Sequence, residues 1–410
     1  MNKLISNLII SYSSSLIGFL VVIASARILG AEEYYWMALG IAIGGFIIPL
    51  TNLGSDRTFV RDAIKAENPE EVEEIVTLSL SVRVTFALAI SVCMFIWSYL
   101  YFGSILNSIA ITSISAWVGI QGLYPASWYD FVNATRRQNG IVLIERLFCV
   151  GIVVWVYFMP ELIHVTAVLG VLLLTSRLAS VIVQIRVWWL YQGSRRLQLK
   201  FILPRPGMPG INYRVTLTLL ANTLLTFGNQ LILAGSAPAV EFAAYSLAFQ
   251  IVSMVFLFQT LAIRLLSRNI AEACNSGKGI IKSMVYKGML MALGSALMAF
   301  CAYIVILFFP AILDDNRFVV AVAYMPVLCL WITIVGAGQV VTQHLLALGQ
   351  ETIYFATGII GGGVAFFLGF LFVPEHGAYA VAVILLLIHS GVIAINTFGV
   401  IYMTNMREEF

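Results

Sequence analysis

The sequence predicts an all-α, polytopic membrane protein: twelve transmembrane helices in two six-helix bundles around a central cavity. Composition is the first reason. Of 410 residues, 60% are hydrophobic and only 10% charged, with a mean hydropathy of +0.95. A soluble domain carries about a quarter charged residues and cannot hide this much apolar surface. A water-soluble enzyme is thereby excluded, and so is a disordered or fibrous chain, because low-complexity and collagen-like tracts are missing. The second reason is the spacing of apolar windows, and the third is the placement of charge in the loops between them.

The windows span 4–26, 36–54, 76–102, 108–131, 141–159, 163–186, 211–234, 242–264, 288–309, 319–347, 353–373 and 379–403. At about 1.5 Å of rise per residue each can cross a ~30 Å hydrocarbon layer, which gives segments 1 to 12. With the N-terminus in the cytoplasm, one side collects Lys3, Arg57, Arg61, Lys65, Arg136, Arg137, Arg195, Arg196, Lys200, Arg205, Arg268, Lys278, Lys282, Lys287 and Arg407. The other side holds Arg27 and Arg317. This is a positive-inside pattern with both termini cytoplasmic, and a miscount by one segment would scramble it. Lys3, the first apolar run and Ala24-Ser25-Ala26 imitate a signal peptide, but Ser11-Tyr12-Ser13-Ser14-Ser15 interrupts the apolar core such a peptide needs. Outer loops stay within about a dozen residues, leaving no room for an extracytoplasmic catalytic domain. No phosphate-binding glycine loop appears. The five cysteines show neither metal-ligand nor Cys-x-x-Cys spacing. We therefore expect a non-enzymatic protein without cofactor, metal site or nucleic-acid partner.

The longest polar, Pro-rich connection follows segment 6 and ends in Pro204-Arg205-Pro206-Gly207-Met208-Pro209-Gly210. It divides the chain into an N-terminal bundle (1–194), a cytoplasmic linker (195–210) and a C-terminal bundle (211–410). The halves echo each other. Gly30 to Leu39 opens segment 2 as Glu241-Phe242-Ala243-Ala244-Tyr245-Ser246-Leu247 opens segment 8, and Gln138-Asn139-Gly140-Ile141 before segment 5 matches Gln350-Glu351-Thr352-Ile353 before segment 11. Six is even, so the halves share one orientation about an axis along the membrane normal. Such repeats belong to transporters that rock two bundles about a central site.

Charge inside a membrane window is expensive and marks function. Arg83, Arg146, Arg177, Arg186, Arg214 and Arg264 lie within or at the ends of windows, against two acids, Asp130 and Glu145. Arg177 is deepest and Arg83 sits about two turns in. The other four lie near cytoplasmic ends, where a guanidinium can snorkel to lipid phosphate. An ion pair of Glu145 with Arg83 or Arg177 is the structural alternative. Polar residues recur at helical spacing beside these arginines: Arg214, Thr218, Asn222, Thr226 and Asn229 in segment 7; Ser246, Gln250, Ser253, Thr260 and Arg264 in segment 8; Thr166, Gly170, Arg177, Ser180 and Gln184 in segment 6. A polar stripe in hydrocarbon must face other helices or water. We read Asn222, Thr226, Asn229, Gln250 and Ser253 as cavity lining, and Arg83, Arg177, Arg214 and Arg264 as ligands for an anion. The guanidinium fork suits phosphate or pyrophosphate. Trp117, Gln121, Tyr124 and Trp128 recur along segment 4 as a candidate platform for sugar rings, with ordinary packing as the alternative. Glu145, His344 and His389 are the candidates for ion coupling.

Ala26-Arg27-Ile28-Leu29-Gly30, Tyr34, Leu53-Gly54 and Arg61 resemble the N-terminal signature of the Wzx-like O-antigen flippases, the polysaccharide branch of the multidrug/oligosaccharidyl-lipid/polysaccharide exporter superfamily. The resemblance implies a MATE-like fold. It also implies a flippase that moves undecaprenyl-pyrophosphate-linked oligosaccharide, the O-antigen repeat unit, from the cytoplasmic to the periplasmic leaflet of the bacterial inner membrane. A polysaccharide polymerase and a chain-length regulator would be its partners in the bilayer. The sequence departs from that pattern at Tyr35 and Ala243, where glycine is usual, and at Gln230, where an acid is frequent. A multidrug antiporter of the same superfamily would want acids in segments 1 and 7, which have none, and an integral-membrane polymerase would want a long outer loop.

Overall fold

The computed structural model describes residues 2–55, 59, 62–63, 66–132, 134–159, 164–191, 208, 211–277, 279–308 and 316–408, and all regular elements among them are helical. In order these are α1 (Asn2–Asn52), α2 (Pro69–Phe102), α3 (Ile105–Gly119), a 3-10 turn (Ile120–Leu123), α4 (Ala126–Phe131), α5 (Thr135–Tyr157) and α6 (Val165–Tyr191). Then come α7 (Tyr213–Thr223), a π turn (Leu224–Gly228), α8 (Asn229–Ser236), α9 (Ala239–Ser253), α10 (Val255–Ser276), α11 (Ile280–Leu307), a 3-10 turn (Asn316–Val320), α12 (Ala321–Ala347) and α13 (Glu351–Glu408).

Ten helical runs among the described residues are long and apolar enough to cross a membrane. Two of them, Ser13–Asn52 and Glu351–Met406, hold 40 and 56 residues, about two and nearly three times the ~20 residues one crossing needs. Each is two helices merged at a glycine with non-helical backbone: Gly30 (φ 68°, ψ 173°) in α1 and Gly377 (φ 59°, ψ −144°) in α13. A side chain at either φ would be strained, so glycine supplies the bend. The continuous runs alone give ten, so the expected twelve segments require each of the two bent runs to cross twice.

Element ends differ from the windows for local reasons. α2 starts before residue 76 because Asn68 caps it, its Oδ1 accepting the Glu71 N–H at 2.9 Å, with Pro69 in the first turn. The window 108–131 is broken: α3 stops at Gly119, tightens into the 3-10 turn and restarts after Pro125. Segment 7 carries the π turn, and segment 8 is interrupted at Met254.

The chain forms two compact units, Met1–Leu220 and Ala221–Phe410. The expected linker 195–210 lies outside the described residues except for Met208. The division falls at the end of α7 because the start of that helix belongs to the first unit. Asn212 N–H donates to the Leu53 carbonyl at 3.0 Å, and Ile211 packs with Leu53 and Val82. Within the first unit the second arm of α1 runs beside α3 at backbone range. A Cβ added at Gly44 would sit 2.5 Å from Val118 Cβ, and one at Gly119 would collide with Ile47 Cγ2. Small residues at such contacts are what lets membrane helices approach. Within the second unit an aromatic column of Tyr245, Phe249 and Phe256 from α9 and α10 packs on Tyr324 and Trp331 of α12.

The internal repeat has a structural counterpart. In the first unit Glu33 accepts a hydrogen bond from Thr166 Oγ1 at the start of α6, at 2.7 Å. In the second unit Glu241, at the matching place, accepts the Ala378 N–H at 2.8 Å, beside the Gly377 bend. Each half thus uses a carboxylate at the start of its second segment to hold the start of its sixth.

Candidate functional site

The buried charges of the first unit gather where α2, α3, α5 and α6 come together. α1 ends after Pro49 with Leu53 (φ 51°) and Gly54 (φ 72°) in left-handed conformations, and α3 ends in the 3-10 turn. Both ends leave carbonyls without intrahelical donors. Arg83 of α2, fully buried, supplies them: Nε donates to Thr51 O at 3.0 Å, Nη1 to Ser55 Oγ at 3.5 Å, and Nη2 to the Gly122 and Tyr124 carbonyls. A cation at two helix C-termini also answers the helix dipoles. Its guanidinium lies over Trp128 at 6.0 Å. Arg83, expected as an anion ligand, donates here to helix ends.

Arg177 of α6 does something different. Its Nε pairs with Glu145 Oε1 of α5 at 2.6 Å, with both side chains almost wholly buried. The other carboxylate oxygen accepts the Tyr124 hydroxyl. The guanidinium lies 5.3 Å from the Trp117 ring and 5.4 Å from the Tyr124 ring, and its Nη1 has no hydrogen-bond partner. Arg146, one residue after Glu145, does not snorkel to lipid as its window position suggests. It turns inward, over Trp117 at 6.0 Å and against Gly18 of α1, where an added Cβ would lie 3.1 Å from the guanidinium carbon. Its buried Nε is also without a partner. The reason is geometric: consecutive residues on a helix point about 100° apart, and with Glu145 aimed at Arg177, position 146 falls on the α1 side, where glycine leaves room. Two arginines against one glutamate leave this cluster with one uncompensated positive charge (+2 − 1 = +1) and two unsatisfied N–H groups. Such groups in a low-dielectric interior are costly until an acceptor arrives.

The expected aromatic platform divides. The 3-10 turn breaks the helical spacing, so Gln121 is exposed while Trp117 and Tyr124 face Arg177. Trp128, in α4, packs on Phe59 and Trp188.

In the second unit the segment 7 stripe begins with Asn222, whose Nδ2 donates to the Tyr354 hydroxyl at 3.2 Å, and Thr226, whose Oγ1 donates to Asn222 O at 2.8 Å. Asn229 is buried against Gly369 with neither amide atom paired. Arg214 is exposed and belongs to the first unit. The Arg264 side chain and Arg61 lie outside the described residues. Ser253 is satisfied by Phe249 O at 2.7 Å, and Gln250 is half-buried. The interruption at Met254 rotates the helix beyond it: Thr260, expected inside, is exposed, and Gln259, absent from the expected stripe, is fully buried. Gln259 donates to Ile332 O at 2.8 Å and Ser295 Oγ at 3.0 Å and accepts from Gln339 at 3.0 Å. No periodicity count across an unmarked helix break could have found it. His344 contacts Val340 O (2.9 Å) and Ser283 Oγ (3.3 Å), and His389 contacts Leu385 O (2.9 Å) and stands edge-on to Trp331.

Helices of this number, length and apolarity among the described residues define a multi-pass membrane protein. Comparison with solved structures places the fold. A multidrug resistance MATE family transporter of the MOP superfamily, in an inward-facing conformation, superposes with a TM-score of 0.68 at 12% identity, covering 99% of both chains. The lipid II flippase MurJ, in an inward closed conformation, gives 0.61 at 15% identity over 97% of this chain and 87% of MurJ. MATE in complex with MaD3S gives 0.58 at 12% identity over 99% and 96%. At these identities the likeness is one of fold. A search of curated protein sequences finds no match. The family model described as polysaccharide biosynthesis protein matches residues 1–265, and the chain belongs to that family.

Proposed function

We propose that the protein is a flippase for a lipid-linked oligosaccharide, carrying an undecaprenyl-pyrophosphate-linked O-antigen repeat unit from the cytoplasmic to the periplasmic leaflet of the inner membrane by alternating access. It makes no covalent change in its substrate. The observation that carries the reading is the cluster of half-buried Arg146 with buried Arg177, Glu145 and Tyr124, with its surplus positive charge and two unpaired N–H groups. A diphosphate supplies the acceptors and negative charge this cluster lacks, and a planar guanidinium fork matches it. Membership in a polysaccharide biosynthesis family supports the sugar-bearing cargo, and the fold shared with a lipid II flippase supports the mode of action. A head group this polar cannot cross hydrocarbon alone, since each unsatisfied polar group there costs several kcal/mol. In this scheme Arg83 holds the helix ends that frame the cluster. Arg214 and Arg264 meet the diphosphate on its way in. Asn222, Thr226, Asn229, Gln250 and Ser253 line the path, and Trp117 offers an aromatic face to the first sugar. Glu145, His344 and His389 are the groups whose protonation can couple to transport. A polymerase and a chain-length regulator take the product on the outer side.

The test is translocation of polyprenyl-diphosphate oligosaccharide in reconstituted vesicles. Arg146→Gln removes the surplus charge without unpairing Glu145, and Arg177→Lys keeps the ion pair but loses the fork. Each should lower the rate about tenfold, about 1.4 kcal/mol, with the protein still monodisperse. Wild-type rates in the combined variant would reject this site. Loss of drug resistance with intact surface polysaccharide in a deletion strain would favour a multidrug exporter instead.

A further inference from the structure

The outer face of α5 and α6 carries a groove that the diphosphate reading does not use. Two adjoining cavities of about 460 and 690 Å³ share Ile144, Phe148, Ile152 and Leu172 as walls. Ile144 and Phe148 are 59% and 67% exposed, as expected of side chains bathed in hydrocarbon. The inner end is unlike the walls. Glu145 lies in it, with Ser176 and Ser180, and Glu145 is the residue that holds Arg177. The hydroxyls are already engaged, Ser176 with Cys149 Sγ and Ser180 with Gln184 Nε2. The groove therefore grades from an apolar mouth to the edge of a net-positive cluster within one unit. At Gly151 an added Cβ would meet nothing within 4 Å, so the space beside it is open.

We propose that this groove seats the hydrocarbon chain of the lipid-linked diphosphate, the polyprenyl tail leaving the first unit sideways between α5 and α6 while the head engages Arg146 and Arg177. The inference rests on the flippase reading. Charge selects the occupant. A chain lying here brings its head to a cluster short of negative charge, and a diphosphate answers that better than the single phosphodiester of a phospholipid.

The experiment uses purified protein in phosphatidylcholine nanodiscs and a C55 polyprenyl diphosphate bearing a diazirine in its chain. Label should appear on peptides containing Phe148 or Trp155 and be displaced by unlabelled C55 diphosphate but not by phosphatidylglycerol. Gly151→Trp, and independently Val183→Trp on the facing helix, should weaken C55 diphosphate binding about tenfold and leave binding of isopentenyl diphosphate, whose single isoprene unit is too short to reach along the groove, unchanged. Label on other helices, displacement by phosphatidylglycerol, or full C55 affinity in both filled variants would overturn the proposal. The wild-type label map needs no substitution to read. Arg146→Gln separates the two readings: it should weaken both ligands alike, and if it weakens neither while the filled variants lose C55 binding, the head-group site fails and the groove stands.

Discussion

Glu145 is the residue on which the charged cluster balances. It compensates Arg177 directly and accepts the Tyr124 hydroxyl, in surroundings almost closed to solvent. Removing one partner of such a pair costs about 3–5 kcal/mol, whereas replacing both by apolar side chains is often neutral. Glu145→Gln should therefore destabilise the protein strongly, because Arg146 and Arg177 are then left together without a counter-charge. The double variant Glu145→Leu, Arg177→Met should recover most of that loss while remaining inactive in translocation. Thermal unfolding in detergent measures both; equal destabilisation of single and double variants would show that the pair is not what the packing needs. This pairing was legible in the sequence, since a deep arginine requires a partner and Glu145 is one of only two acids in the membrane windows. The role of Arg83 was not legible. Its acceptors at Thr51, Gly122 and Tyr124 are backbone carbonyls freed by helix ends, and no side-chain pattern announces a free carbonyl. Arg146 was hidden for a related reason: its inward turn depends on the space left by Gly18, 128 positions away in the chain (146 − 18).

At the scale of elements, apolar windows located the helices well and their interruptions poorly. Gly and Pro are tolerated inside membrane helices, so Gly119, Gly122 and Pro125 do not mark the end of α3 as they would in water. The 3-10 turn there is enforced by contact. A Cβ at Gly122 would collide with Thr51 Oγ1 and lie 2.6 Å from Ile48 O, the second being backbone that cannot swing aside. Gly122→Ala should cost about 3 kcal/mol or more by overpacking and should also loosen the clamp made by Arg83. Gly140 makes the contrast: it sits in the first turns of α5 with nothing within 4 Å of an added Cβ. Gly140→Ala should be neutral or stabilising by up to ~1 kcal/mol, the ordinary helix preference. Unfolding midpoints of the two variants, measured side by side, decide the matter; similar midpoints would mean that the turn yields. The π turn in Leu224–Gly228 and the interruption at Met254 show the same limit, because each re-aims a polar face that simple periodicity carries straight on.

For the whole molecule, the charge asymmetry of the loops and the two long runs lead to one experiment. The loop charges fall on one side, with six crossings in each half, only if α1 and α13 each cross the bilayer twice, which puts the bends at Gly30 and Gly377 on the far side. On that topology the carboxylate contacts at those bends, Glu33 with Thr166 and Glu241 with Ala378, fall on the far side as well. Glu32 and His376 are exposed beside the two bends, and Arg137 and Ser276 are exposed at helix ends on the basic side. In a background with the five native cysteines replaced, Glu32→Cys and His376→Cys should react with a membrane-impermeant maleimide in intact spheroplasts. Arg137→Cys and Ser276→Cys should react only after permeabilisation. If either bend position labels solely from the cytoplasm, that run crosses once, the count falls below twelve, and the even division that keeps the two halves in one orientation is lost. The internal repeat makes the outcome symmetric: a shared ancestry of the halves requires both bends on one side, so labelling of one bend from outside and the other from inside would break the repeat as well as the topology.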